Sequence, residues 1–158
     1  MNWFARTDFK HKIFIAGNHD FGFEHGFEID QEFKDMGVIY LQDSEVTIDG
    51  VKFYGSPWQP EFYDWAFNLP RGEKLAQKWS KIPGNTDILI THGPVYGLLD
   101  YAPHGGHVGC EELYRRVFDV KPKIHVCGHI HGAYGQKSIE GVEFLNASVL
   151  DERYEHAH

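Results

Sequence analysis

Cysteine is nearly absent: Cys110 and Cys127 are the whole supply in 158 residues. Two thiols cannot build a disulfide framework, so stability has to come from a packed core. Long apolar runs are missing too. No stretch approaches the length of a membrane span, and Met1-Asn2-Trp3-Phe4-Ala5-Arg6 lacks the apolar centre of a secretory signal. The expected location is the cytoplasm, with no membrane partner. Positive charge is scarce as well: 15 Lys and Arg stand against 23 Asp and Glu, a formal charge of −8. That balance offers no basic stripe for long nucleic acid. It does admit a small phosphorylated molecule, because a bound dication inverts the local field of an acidic protein. No linker, repeat or low-complexity tract divides the chain, so residues 1–158 are read as one domain. Histidine is the residue in excess, with 11 copies, and they are clustered.

Apolar periodicity and turn residues place the elements. Lys12 to Ala16, Val38 to Leu41, Asp87 to Thr91 and Lys123 to Cys127 read as strands. Asp49-Gly50 and Glu140-Gly141 read as two-residue hairpin turns between Val46–Ile48 and Val51–Tyr54, and between Lys137–Ile139 and Val142–Leu145. Helices are expected over Glu28–Asp35, Gly72–Lys81 and Cys110–Val120, the last with Leu113, Val117 and Val120 on one stripe. Gln59 to Arg71 reads as a surface-crossing loop, and Pro94 to Gly109 as a long loop of the kind that is often functional. The aromatic set Trp58, Phe62, Tyr63, Trp65 and Phe67 is assigned to core and loop packing. Strands mixed with crossover helices and two hairpins make an α/β layering, with a mixed sheet or two packed sheets and helices outside.

Three of the strands end in turns that carry chemistry. Gly17-Asn18-His19-Asp20, Thr91-His92-Gly93 and Gly128-His129-Ile130-His131 each follow a short apolar run. Such turns can lie side by side on one rim of a sheet, where open α/β folds place their ligands. Imidazole nitrogens and an amide oxygen suit Zn, Mn or Fe better than Ca or Mg. His129 and His131 can serve two ions or chelate one. His19, beside Asn18, can face a substrate and protonate a leaving oxygen, with Asp20 orienting its ring. His104 and His107 can line a pocket mouth, and Arg71 can contact a phosphate. His11, His25 and His125 have no convergent partner and are read as structural.

These three clusters, in this order, resemble three of the five sequence blocks of the calcineurin-like metallophosphoesterases. Tyr54 to Trp58, Asn68 to Arg71, His107 to Cys110 and Asn146 to Ser148 resemble the branch that includes the metallophosphoesterase-domain (MPPED-type) phosphodiesterases. The resemblance implies a four-layer α-β-β-α sandwich and two bridged metals. It implies Asn18, His92 and His129 on one ion, His131 on the other, and His19 assisting the leaving group. The family's first two blocks, Asp-x-His and Gly-Asp, are missing from the seventeen residues before Asn18.

The expected fold is therefore a truncated four-layer sandwich with mixed β-sheets, lacking the usual first βαβ part. One divalent transition metal per chain is expected on Asn18, His92, His129 and His131. Two are expected if Glu155, His156 and His158, or a partner chain, supply replacement ligands. An unpaired edge and apolar surface would call for a homodimer or larger oligomer. The expected activity is hydrolysis of a small phosphodiester through a metal-activated hydroxide. The alternative is a catalytically degenerate homologue that binds a nucleotide or a protein.

Overall fold

The structure is a computed structural model that describes residues 2–156. In chain order, α1 is Asn2–Ala5, β1 Lys12–Phe14, α2 Phe21–Glu24, α3 Gln31–Asp35 and β2 Val38–Tyr40. Then come β3 Ser44–Ile48, β4 Val51–Ser56, β5 Gln59–Pro60, β6 Asn68–Leu69 and α4 Glu73–Trp79. After these follow β7 Ile88–Thr91, β8 Tyr101–Ala102, β9 Gly106–His107, α5 Glu111–Val120 and β10 Ile124–Cys127. A single 3₁₀ turn over His131–Ala133 leads to β11 Gly135–Ile139 and β12 Val142–Asn146.

The main sheet has the order β11-β12-β10-β7-β4-β3. Its four central strands are parallel and its two edges antiparallel. The edges are hairpin arms. Asp49 and Gly50 both have positive φ (50° and 82°), as do Glu140 and Gly141 (51° and 85°), the backbone that two-residue hairpins need. Register brings Ser56 level with Thr91, and Cys127 level with Asn146, so the central strands end on one rim.

The strand that leads into Asn18 is not in this sheet. β1 pairs in parallel with β2 alone, as a separate two-stranded sheet. The sequence places three turns on one rim; the structure assembles them from two stacked sheets. Gly55 is the seam. A Cβ there would sit 2.5 Å from Leu41 Cβ and 2.8 Å from Ile15 Cγ2, so only glycine lets the residues just past β1 and β2 lie on β4.

Successive side chains on a strand point to opposite faces. Gly55 meets the small sheet, and its neighbour Tyr54 packs with Leu89 and Phe144 against α4 and α5 through Leu75, Trp79, Leu113 and Val117. Beyond the small sheet, Ala5, Ile29, Phe4, Phe23 and Phe33 close around Val38, Phe14 and Tyr40. The order helix, sheet, sheet, helix is the four-layer sandwich that the sequence implied.

Three readings change in detail. Gln59 to Arg71 is no simple surface loop: β5 and β6 pair in parallel, and Ala66 and Phe67 are completely buried. The Gln59 amide stabilises this arrangement by donating to Ala66 O at 3.1 Å and Asn68 Oδ1 at 3.2 Å. The helix expected from Glu28 starts only at Gln31, because Asp30 is extended. The Pro94–Gly109 loop contains the β8–β9 hairpin, and a bridge between Val95 and Cys110 closes its base.

Candidate metal centre

Gly17 leaves the space that His92 fills: a Cβ on it would lie 2.7 Å from Cε1 and Nδ1 of that ring. Asn18 comes next and is buried. Its main-chain N–H points at His92 Nε2 (3.3 Å), and its Oδ1 stands 2.9 Å from the same nitrogen. Its carbonyl accepts the Ala66 amide at 3.0 Å, which pins the turn from the far side. The His92 and His129 rings are 4.5 Å apart between centroids.

His129 sits at φ 70°, in a three-residue turn closed by Ile130 N–H donating to Gly128 O at 2.8 Å. A non-glycine residue held there costs on the order of 1–3 kcal/mol. Asn146 restrains the turn. Its Nδ2 donates to Ile130 O at 2.9 Å and to Leu99 O at 3.1 Å. His92 has its own support. Thr91 Oγ1 donates its one proton to Gly93 O (2.7 Å), so the His125 Nε2–H must donate to Thr91 Oγ1 (2.7 Å).

Burial lowers the His92 pKa to about 3, helped by His129 and His19. Burial lowers that of His129 to about 4, helped by His131 and His19. Both rings are neutral near pH 7, the form that presents a lone pair to an ion. Burial pushes the Cys110 thiol up to about 11 and Cys127 up to about 12, so neither is a thiolate.

Residues 2–133 match the family model of the calcineurin-like phosphoesterases. The chain belongs to this family. It is 43% identical to the human metallophosphoesterase domain-containing protein 1 over 97% of its own length, and 35% identical to a Caenorhabditis elegans UPF0046 protein over 94%. The chain spans 54% of the first relative and 45% of the second. The crystal structure of TT1561 from Thermus thermophilus shares the fold, with a TM-score of 0.56, 11% identity, and coverage of 86% of this chain and 62% of that one.

Calcineurin-like phosphoesterases use divalent metal ions. Asn18, His92 and His129 fit one. His92 Nε2 and Asn18 Oδ1 stand 2.9 Å apart, close enough to reach one ion together. That is about the separation of two ligands at right angles on one ion with bonds of roughly 2.0–2.1 Å. No group of three or more His, Cys, Asp or Glu able to hold a metal occurs among the described residues. The third donor of this set is an amide.

His131 is near enough to His129 to help lower that ring's pKa, and its hydrogen bond goes to the tail. Its Nδ1–H donates to Asp151 O at 2.8 Å, and Tyr154 stacks edge-on at 5.2 Å. A carbonyl can only accept, so Nδ1 carries a proton and Nε2 is the ring nitrogen turned from the tail, an orientation typical of a ligand imidazole. The tail that holds it is folded back: Leu150 bridges His156, and Glu155 N–H donates to Asp151 Oδ1 at 3.0 Å. Glu155 and His156 make no side-chain hydrogen bond to the three turns among the described residues, and His158 lies outside them. Of the tail carboxylates, that of Glu152 lies against the His131–Ala133 turn, its Oε1 beside Gly132.

Asp20 corrects another expectation. Its Oδ2 accepts the Gly17 amide at 2.7 Å, so it braces the turn and not the His19 ring. His19 packs on Trp65, with centroids 5.8 Å apart. Arg71 is committed elsewhere: Nη1 donates to Gly109 O (2.7 Å) and Nη2 to Val108 O (2.9 Å). His107 is half-exposed between Tyr96 and Tyr101, with Nδ1–H on Asp100 Oδ1 at 2.7 Å. Sequence spacing gives no signal for Trp65, Asp100 or Asn146 as organisers, because it reports none of the side-chain contacts through which they act.

Proposed function

We propose that this chain is a metal-dependent phosphodiesterase acting on small phosphodiesters. The observation that carries the reading is the convergence of Asn18 Oδ1, His92 Nε2 and the His129 ring, with His19 at their border. When bound, a divalent transition metal supplies Lewis acidity at the phosphoryl group and acidifies water. The chain's own residues do the rest. Asn18, His92 and His129 bind and orient, and their neutrality leaves the charge of the ion undiminished. His19 gives a proton to the departing oxygen. His107, held through Nδ1 by Asp100 on the β8–β9 hairpin beside the His131–Ala133 turn, contacts the substrate. One dication would have to offset both the attacking hydroxide and the substrate, which balances for a monoanionic diester and falls one charge short for a dianionic monoester, so diesters are the favoured class.

The partner expected from the sequence is a second copy of this chain. β1 has a neighbour on one side only among the described residues. Next to it, Trp3, Phe4, Ile13, Phe14 and Ile15 line an apolar groove of 370 Å³.

The deciding experiment measures Mn or Zn per chain and diesterase activity on the same sample. About one ion with activity supports the reading. Metal-free protein with full activity overturns it, and metal without activity points to a binding module. His19→Ala is expected to keep its metal and lose roughly 10²–10⁴ in rate on poor leaving groups, and far less on activated aryl esters. Equal loss on both classes would remove the proton-donor role.

A further inference from the structure

The segment between β5 and β6 carries Glu61-Phe62-Tyr63-Asp64-Trp65, and its backbone is firmly held. Asn68 Nδ2 donates to Phe62 O (3.1 Å) and Tyr63 O (2.8 Å). Ala66 N–H donates to Asn18 O (3.0 Å), and Phe67 N–H to Glu24 Oε1 (2.9 Å). Tyr63 is held at φ 49°, in the left-handed region that an aromatic residue avoids.

The three rings touch one another, at 4.4 Å for Phe62–Tyr63, 5.1 Å for Phe62–Trp65 and 5.8 Å for Tyr63–Trp65. Yet Phe62 is 54% and Tyr63 74% exposed. The fold gains little from apolar rings in that position. Trp65 continues the wall inward, meeting His129 edge-on at 5.6 Å and His19 at 5.8 Å. The sequence assigns all five aromatics of this stretch to packing. The structure divides them: Phe67 is in the core with Trp58 against it, while Phe62 and Tyr63 face out.

The charge on the loop narrows what fits. Glu61 and Asp64 are exposed, and the segment has no Lys or Arg. A second phosphate or any acidic group is repelled there, whereas an uncharged flat ring stacks. The wall begins at the residue that faces the leaving oxygen. We infer that Phe62, Tyr63 and Trp65 form a subsite for a flat aromatic ring carried on one ester arm of the substrate. This rests on the phosphodiesterase reading and narrows it to small diesters with an aryl or heterocyclic arm.

The test uses methyl benzylphosphonate and methyl (cyclohexylmethyl)phosphonate, monoanions in which a CH2 stands where the ester oxygen would be and carries a flat or a puckered ring. Each is titrated calorimetrically into the Mn-loaded protein. The wild type is expected to bind the benzyl compound roughly tenfold more tightly. The Phe62→Ala/Tyr63→Ala double variant is expected to bring that ratio close to one, and Tyr63→Phe to preserve it. Equal affinities in the wild type, binding of neither compound, or a preference that survives in the double variant overturns the subsite. If the double variant does not fold, Tyr63→Ala alone, at the more exposed position, gives the same comparison. An intact preference for the flat ring in a protein with no Mn-dependent diesterase activity overturns the hydrolase reading and leaves the ring subsite standing.

Discussion

Asn146 shows how much one carboxamide can hold. It is buried at the end of β12, and its Nδ2 bonds join the strained turn at His129 to the left-handed Leu99, φ 52°. Its Oδ1 accepts Ser148 N–H at 3.1 Å. Asn146→Ala removes all three bonds and leaves two carbonyls to find new donors. The expected cost is about 1–3 kcal/mol of stability, with a loss of roughly 10–100-fold in Mn affinity, the usual effect of removing support behind a ligand. Urea denaturation and metal calorimetry measure the two effects separately. His125 gives the residue-scale pH prediction. Burial lowers its pKa from 6.5 to about 3 in the folded chain. The unfolded chain therefore binds the proton first. Stability is full above pH 6.5, falls as pH drops from there toward 3, and loses nothing further from this ring below that. The slope is about 1.4 kcal/mol per pH unit. His125→Gln, whose amide can still donate to Thr91, should flatten the decline by that amount in melts run from about pH 7 to about pH 4. An unchanged slope would assign the acid sensitivity to other groups.

At the scale of elements, the loop from Pro94 to Gly109 is closed by contacts of very short range. Asp100 is fully buried and accepts Gly97 N–H (2.9 Å), Gly109 N–H (3.0 Å) and the His107 ring. A Cβ on Gly109 would lie 2.3 Å from Val95 O. Gly109→Ala must therefore open the base of the loop, losing the paired bonds between Pro94, Tyr96 and Cys110. Destabilisation of about 2–4 kcal/mol is expected, with faster amide exchange at Tyr96 and Cys110. Retention of wild-type exchange there would show that the bridge tolerates the displacement.

Local order is legible in the sequence where chemistry is local. Asp49-Gly50 and Glu140-Gly141 announce their hairpins because both central residues need positive φ. Gly17, Gly93 and Gly128 mark the donor turns because each follows a short apolar strand. The distribution of strands between sheets is not legible, since β1 and β7 have similar apolar runs and only the contact at Gly55 separates their layers. The partner of Asp20 is hidden for the same kind of reason: a carboxylate next to a histidine in sequence can bond back to an amide three residues earlier. The split between packed and exposed aromatics from Trp58 to Phe67 depends on the Gln59 and Asn68 side chains, which no periodicity reports.

For the whole molecule, the apolar groove beside β1 and the exposed rings of Trp3 (76%) and Phe9 (69%) are the surface that a second copy would cover. Light scattering across a concentration series should show a dimer or larger species that Trp3→Ser shifts toward monomer. A wild-type monomer at every concentration would remove the self-association proposal. No helix among the described residues is long and apolar enough to cross a membrane.

The seam at Gly55 gives the centre a mechanical meaning. Asn18 rides on the two-stranded sheet, while His92 and His129 ride on the six-stranded one. An ion shared by these three side chains is a rivet through both plates. By linkage, whatever tightens ion binding tightens the stack, and whatever lets the plates slide weakens the ion's hold. Affinity for such an ion would then gauge how well the two halves of the sandwich are aligned.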